Sequence, residues 1–173
     1  RESLAYFAAH DPGELNDASL ANHATALAQI GALRFDQAHY EAAAEAYHAA
    51  YARAAGRARQ RPRNGDILFA RGQAEWGIGL VHYRRGEYAA ARTWFTRYHD
   101  TAVALVALDP ANRIWQREMA YGHYNLAVLD RAEGKLEAAR DSFLGELAAL
   151  KKLLADTPQD LELQGDVAGV TSF

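Results

Sequence analysis

Seven histidines, five closely set arginines and a scatter of carboxylates are the side chains in this 173-residue chain that could do chemistry. A metal ion would want two histidines a helical turn apart, or a His-Glu-x-x-His run in which the glutamate serves as general base. No histidine here has another four residues away, no such run occurs, and there is no cysteine to lend a thiolate. No local motif sets a second carboxylate at a fixed spacing from Asp109 or Glu118, and acid–base work needs two groups tuned apart at one place. A nucleotide would want a glycine-rich turn between a strand and a helix, and no strand pattern is present. The expectation is a protein that is not an enzyme, with no metal site, no cofactor and no catalytic residue.

The arginines are Arg53, Arg57, Arg59, Arg61 and Arg63. Guanidinium groups this close could neutralise nucleic-acid phosphates; alternatively, cations suit a helix C-terminus and keep a loop solvated. The second reading is preferred. A nucleic-acid binder carries a basic stripe, and the corresponding segments further along, around Leu108-Asp109 and Asp156-Thr157, carry acid. Lys and Arg number 19 against 22 Asp and Glu, a net charge of −3, so no general attraction to nucleic acid or an anionic membrane is expected. The longest apolar run, Ala102 to Leu108, falls far short of the roughly 20 residues that cross a bilayer. With no signal pattern at its start, the chain is expected to be cytoplasmic. It opens on Arg1 and stops inside an apolar pattern at Phe173, and is therefore read as a piece of a larger protein.

Whatever positions these side chains is repetitive. A shift of 48 residues lays Gly86 on Gly134 and Ala38, Tyr88 on Leu136 and Tyr40, Ala91 on Ala139 and Ala43, and Phe95 on Phe143 and Tyr47. Gly79 falls on Ala127 and Gly31, Ile78 on Leu126 and Ile30, and Pro62, Pro110 and Pro158 share the interval. So do Asn16, Asn64, Asn112 and Asp160, each with a side chain suited to N-capping the helix that follows. Gly86 and Gly134 stand where a left-handed residue closes that helix. Ala38 departs from this, which predicts either a strained turn or a different one. Ala91 and Phe95 share one face of a second helix, where Phe95 and Phe143 are expected to be buried. The second helices should end before the prolines. This places repeat one at 16–63, repeat two at 64–111 and repeat three at 112–159. Residues 1–15 would end a preceding repeat, and 160–173 would be the truncated first helix of a fourth.

The middle copy, Ile78-Gly79 followed by Tyr83, Gly86, Tyr88, Ala91 and Phe95, resembles the tetratricopeptide repeat. That family's unit is 34 residues. About seven further residues precede the motif here and about seven follow it, two turns on each helix, which preserves the facing of both. The resemblance covers nearly the whole chain. It implies an all-α fold, a right-handed superhelical solenoid of antiparallel helix hairpins, with three full repeats and partial repeats at both ends. Long units of this kind are similar to the repeat regions of large bacterial signalling and regulatory proteins, in which they follow an effector domain.

The resemblance also implies a ligand face lined by the first helices. Register puts Thr25, Gln73 and Tyr121 there, then Ala28, Trp76 and Tyr124, then Gln29, Gly77 and Asn125, and lastly Phe35, Tyr83 and Arg131, with Arg117, one turn before Tyr121, extending the face. The peptide-binding residues it implies are Gln73, Trp76, Tyr83, Arg117, Tyr121, Tyr124, Asn125 and Arg131. Family members that clamp a peptide carboxylate use lysines and asparagines, of which only Asn125 is present. Aromatic and amide side chains make binding hot spots instead, with Arg117 and Arg131 available to acidic flanks of a peptide. The competing reading packs Trp76 and Tyr124 between adjacent first helices, and both stay open. Glu75 and His123 occupy equivalent positions and are candidates to pair. The expected function is a protein–protein interaction scaffold that takes a protein or peptide ligand, or its own effector domain. Self-association into a homo-oligomer is the alternative, and nucleic-acid binding through the arginines a weaker third.

Overall fold

The computed structural model describes residues 15–171. Residues 1–14, nearly all of the segment expected to end a preceding repeat, lie outside that range. Among the described residues there is no strand. Seven helices follow one another: α1 (Asp17–Asp36), α2 (Tyr40–Gln60), α3 (Gly65–Arg84), α4 (Tyr88–Leu108), α5 (Arg113–Ala132), α6 (Leu136–Asp156) and α7 (Leu161–Thr171). The boundaries recur at the interval read from the sequence, because the local signals that set them recur. Asn16, Asn64 and Asn112 accept hydrogen bonds from the backbone N–H groups of Ser19 (2.8 Å), Ile67 (3.1 Å) and Trp115 (3.2 Å). Asp160 does the same for Leu163 at 3.1 Å. Each satisfies a donor that the first turn leaves open, worth about 1 kcal/mol.

The turns within the hairpins are alike in all three copies. His39, Glu87 and Lys135 donate their N–H groups back to the carbonyls of Arg34, His82 and Asp130, the six-to-one bond of a Schellman ending. That ending requires a left-handed residue, and Gly86 (φ 74°) and Gly134 (φ 75°) supply it. Ala38 holds the same conformation at φ 59°. Of the two outcomes open for the first copy, the strained turn is the one found, because the Schellman bond forms there as well.

By its internal contacts the chain divides into two compact units, Arg1–Thr101 and Ala102–Phe173, with the division inside α4. In the first unit α1 packs on α2, α2 on α3, and α1 on α3. Leu27, Ala43, Tyr47, Ala50, Ala74, Ile78 and Val81 form a shared core among these three helices. Alanines at Ala43, Ala46 and Ala50 have no exposed surface, and they let the helices approach closely enough for one ring per hairpin to fill the gap. Phe95 is one such ring, 2% exposed and lying over Gly79. The second helices α2 and α4 meet through Tyr51 and Trp94, edge to face at 5.0 Å.

In the second unit α5 packs on α6 and α6 on α7, around Ala120, Leu150, Leu153 and Leu163. Phe143 departs from the expectation. Its ring is half-buried, set against Tyr124 at 6.4 Å and forming a wall of an open cavity with Leu136, Leu144, Leu147 and Val170. The physical reason is local. The position that is Gly31 and Gly79 in the other copies is Ala127 here, and its Cβ takes up room that the glycines leave to the rings of Tyr47 and Phe95. The register position of Gly77, against which Tyr47 packs, falls here on residue 173, outside the described range.

Candidate ligand groove

Tyr47 organises a concave surface of the first unit. It rises from α2 between α1 and α3 and is only 1% exposed. A Cβ on Gly31 of α1 would lie 2.8 Å from its ring, and one on Gly77 of α3 would come closer still. Two glycines thus hold open the slot that a tyrosine ring fills. No other residue fits in either place without displacing the ring. The Tyr47 hydroxyl is buried and has no hydrogen-bond partner. Burial, with the Asp36 carboxylate adding to it, pushes its pKa up to about 12, so it remains a neutral donor throughout the physiological range.

Beside Tyr47, between α1 and α3, lies a cavity of about 210 Å³. Thr25, Ala28, Gln29 and Ala32 line it from α1, and Phe69, Gln73 and Trp76 from α3. No charged residue contributes. For comparison, an apolar cavity of about 150 Å³ accommodates benzene, so this one suits a single side chain rather than a nucleotide or other large cofactor. Thr25, Ala28, Gln29, Gln73 and Trp76 are residues that register had placed on one face, and the structure brings them together.

Phe69 and Tyr47 are the lining residues that sequence reasoning passed over. Phe69 lies one turn before Gln73, the same relation that Arg117 bears to Tyr121, so the register already contained it. Tyr47 shares the register position of Phe95 and Phe143, on the packing face of a second helix. Only the paired glycines, Gly31 and Gly77, signalled that its ring passes between two first helices.

The remaining expected residues lie elsewhere. Tyr83 meets Tyr88 in a tilted ring contact at 5.9 Å across the hairpin turn, as Phe35 meets Tyr40 at 5.3 Å, and neither lines the cavity. In the second unit, Arg117 is engaged by carboxylates of α7, with Glu162 at 3.2 Å and Asp166 at 3.3 Å. Its charge is therefore met by this chain and is not held for the acidic flank of a peptide. Tyr121 and Tyr124 are 37% and 40% exposed. Burial raises the Tyr121 pKa, the nearby Arg117 opposing it. Asn125 turns its amide back to donate to the Tyr121 carbonyl at 2.6 Å. Arg131 borders the open cavity beside Phe143, about 320 Å³ in volume.

Two other clusters have structural work. Glu75 accepts from the Thr101 hydroxyl at 2.6 Å and lies 3.3 Å from Arg71, tying α3 to α4. Burial raises its pKa, while that hydrogen bond and the Arg71 charge oppose the rise. His123 sits over Gly145. Of the clustered arginines, Arg57 binds Asp17 at 2.5 Å and the Leu15 carbonyl at 3.2 Å, and Arg61 lies 4.0 Å from the same Asp17. These guanidinium groups clamp the end of α2 to the start of α1. Among the described residues no three His, Asp or Glu side chains group as a metal site, and no helix is long and apolar enough to cross a membrane.

Comparison with known proteins yields no matching family model and no matching curated protein. The resemblance to the tetratricopeptide repeat accordingly rests on the residue pattern.

Proposed function

We propose that this chain is a protein–protein interaction scaffold, the repeat region of a larger regulatory protein, and that it takes a peptide segment on the face formed by α1 and α3. The observation that carries the reading is the cavity between these helices, walled by Gln29, Gln73, Phe69 and Trp76. Trp76 is the kind of large aromatic found where a few residues carry most of the binding energy, and Gln29 and Gln73 set amides beside it. An extended peptide advances about 3.3 Å per residue, so one side chain would enter the cavity while its neighbours run across the helices. The test is selection from a peptide library by the intact chain, repeated with Trp76→Ala. Loss of binding by tenfold or more with unchanged thermal stability supports a ligand surface. A stability loss of about 2 kcal/mol or more would assign Trp76 to packing instead.

A second reading has its own observation. The second unit leaves Leu136 67%, Leu144 52% and Leu161 80% exposed, and the first two border the open cavity at Phe143. Apolar surface gathered in this way favours association with another chain. A mass that rises with concentration, and falls back to that of one chain with Leu136→Lys, would support a homo-oligomer built through this unit.

A further inference from the structure

The open cavity of the second unit repeats one wall of the first unit's core. Leu136, Ala139, Phe143 and Val170 line it. Two copies earlier in register stand Tyr40, Ala43, Tyr47 and Ala74, all of which pack in a single cluster. Leu144 and Leu147 likewise take the places of His48 and Tyr51, and those two meet the ring of Trp94 at 5.7 Å and 5.0 Å. In the first unit the wall is closed by Ile78 and Val81 from the end of α3 and by Trp94 from α4. By the same shift those three places fall past residue 173, and here the wall borders a space of about 320 Å³. Benzene fills an apolar cavity of about 150 Å³, so there is room for a ring and an aliphatic side chain together.

The wall is not a plain copy, because Arg131 stands where the first unit has Phe35, and Arg140 where it has Ala44. Among the described residues, two cations and no carboxylate line a surface that is otherwise apolar. We propose that this cavity is the docking site for an amphipathic helix of another protein, which sets an aromatic ring against Leu144 and Leu147, aliphatic side chains over Phe143 and Leu136, and carboxylates toward Arg131 and Arg140. A helix is the form that suits the wall. An extended segment laid on apolar side chains would leave backbone N–H and C=O groups without partners, whereas a helix bonds its own, and α3 and α4 close the equivalent wall as helices. The anchors of such a helix recur at i, i+3, i+4 and i+7 along one face. Arg140 lies 3.6 Å from Glu137 one turn back, but both are exposed and a pair of this kind is worth little, so a carboxylate of the incoming helix can replace it. The same charges disfavour closing the cavity with the same face of a second copy, since a two-fold contact would bring both pairs of guanidinium groups together. The site is independent of the peptide face between α1 and α3, and it gives to a different protein the cavity that the second reading gives to a like chain.

The probe is a fluorescein-labelled, lactam-bridged synthetic helix with tryptophan and leucines on one face and glutamates beside them. A second probe carries lysines in place of the glutamates. Each is titrated into the intact chain and followed by fluorescence anisotropy, and the mass of the chain alone is measured over the same concentrations. The glutamate helix should bind better than the lysine helix. Leu144→Ser, at an exposed position, should weaken it by roughly tenfold, the scale of one buried apolar side chain. Arg140→Glu should weaken the glutamate helix roughly threefold and strengthen the lysine helix, a reversal that loss of fold could not produce. Binding of neither helix overturns the proposal, as does equal binding of both or indifference to Leu144→Ser. Binding lost in Trp76→Ala but kept in Leu144→Ser would put the helix on the α1/α3 face and overturn it too. A chain that gains mass without any probe, and returns to the mass of one chain in Leu144→Ser, would make a second copy the occupant instead.

Discussion

Gly79→Ala tests the packing that repeats through the chain. A Cβ at Gly79 would lie 2.6 Å from Cδ1 and 2.7 Å from Cε1 of Phe95, where carbon atoms prefer about 3.5–4.0 Å. An overlap of about 1 Å on a ring that is 2% exposed has nowhere to go without moving α3 from α4. Overpacking of this kind costs roughly 1–3 kcal/mol. Against it stands the benefit of alanine over glycine inside a helix, roughly 0.5–1 kcal/mol. The net expectation is a loss of about 1–2 kcal/mol. Gly56, inside α2, supplies the control, because a Cβ there meets nothing within 4 Å. Gly56→Ala should therefore show the helix gain alone, about 0.5–1 kcal/mol of added stability.

The assay is urea denaturation of the two variants and the parent, followed by circular dichroism, with Phe95→Leu added to the Gly79→Ala background. A smaller side chain opposite the new methyl should restore part of the loss, since residues in contact couple. Were Gly79→Ala to stabilise the chain as much as Gly56→Ala does, no ring would be seated on that glycine. The ring-on-glycine account of helix packing would then fail for Tyr47 and Phe95 alike. The third copy is a natural version of the experiment, with Ala127 at the register of Gly79 and Phe143 only half-buried.

Three further outcomes follow from single residues. Ala38→Gly should add about 1 kcal/mol by releasing a left-handed alanine, and Gly86→Ala should lose about as much, with no steric part because its Cβ would meet nothing; both are read from urea midpoints. Phe95→Ala should cost roughly 3–5 kcal/mol, the range for a buried aromatic, and Phe143→Ala clearly less, since its ring borders open space; equal losses would contradict the difference in burial. Glu146 on α6 is 5% exposed and one of its oxygens lacks a partner, and burial, with the Asp166 charge, raises its pKa to about 7. The raised value lies above that of the unfolded chain, so the group favours folding below about pH 4.5 and that contribution is lost as pH rises through about 7, by up to about 3 kcal/mol. Glu146→Gln should flatten this part of the stability profile, and an unchanged slope between those pH values would refute it.

The features legible in the sequence are those set by short-range chemistry. Asparagine before a helix, glycine after it and proline beyond the next one act within a few residues, and each appears in the structure at its expected place. Ala38 shows how far tertiary context can override such a signal: the turn forms although its residue resists the conformation. What could not be read is the fate of charged and aromatic tips. Arg117 and Phe69 share one register position, yet Arg117 meets Glu162 and Asp166 while Phe69 lines a cavity. Helical period settles which face a residue occupies, but not which long side chain from another helix will reach it. Tyr47 was hidden for a related reason, since period alone cannot show that a ring from a second helix threads between two first helices.

That division between frame and face bears on function. The caps and turns are nearly constant through the copies, with Asn, Asn, Asn and Asp at the helix starts and Ala, Gly and Gly at the turns. On the first-helix face the same register runs Thr25, Gln73, Tyr121 and Ala28, Trp76, Tyr124, with no two residues alike in either row. If these positions only filled space between neighbouring first helices, the close packing of interiors would hold them to similar volumes, as it holds the buried Tyr47 and Phe95 to rings. Ala28 and Trp76 differ by an entire indole and still flank one cavity. That asymmetry makes the cavity: the small residues of α1 leave the room, and the large ones of α3 wall it. Within the first unit, a frame that repeats beneath a face that does not suits the peptide-binding role proposed above, since α1 and α3 then offer different side chains to a ligand that has no repeat of its own.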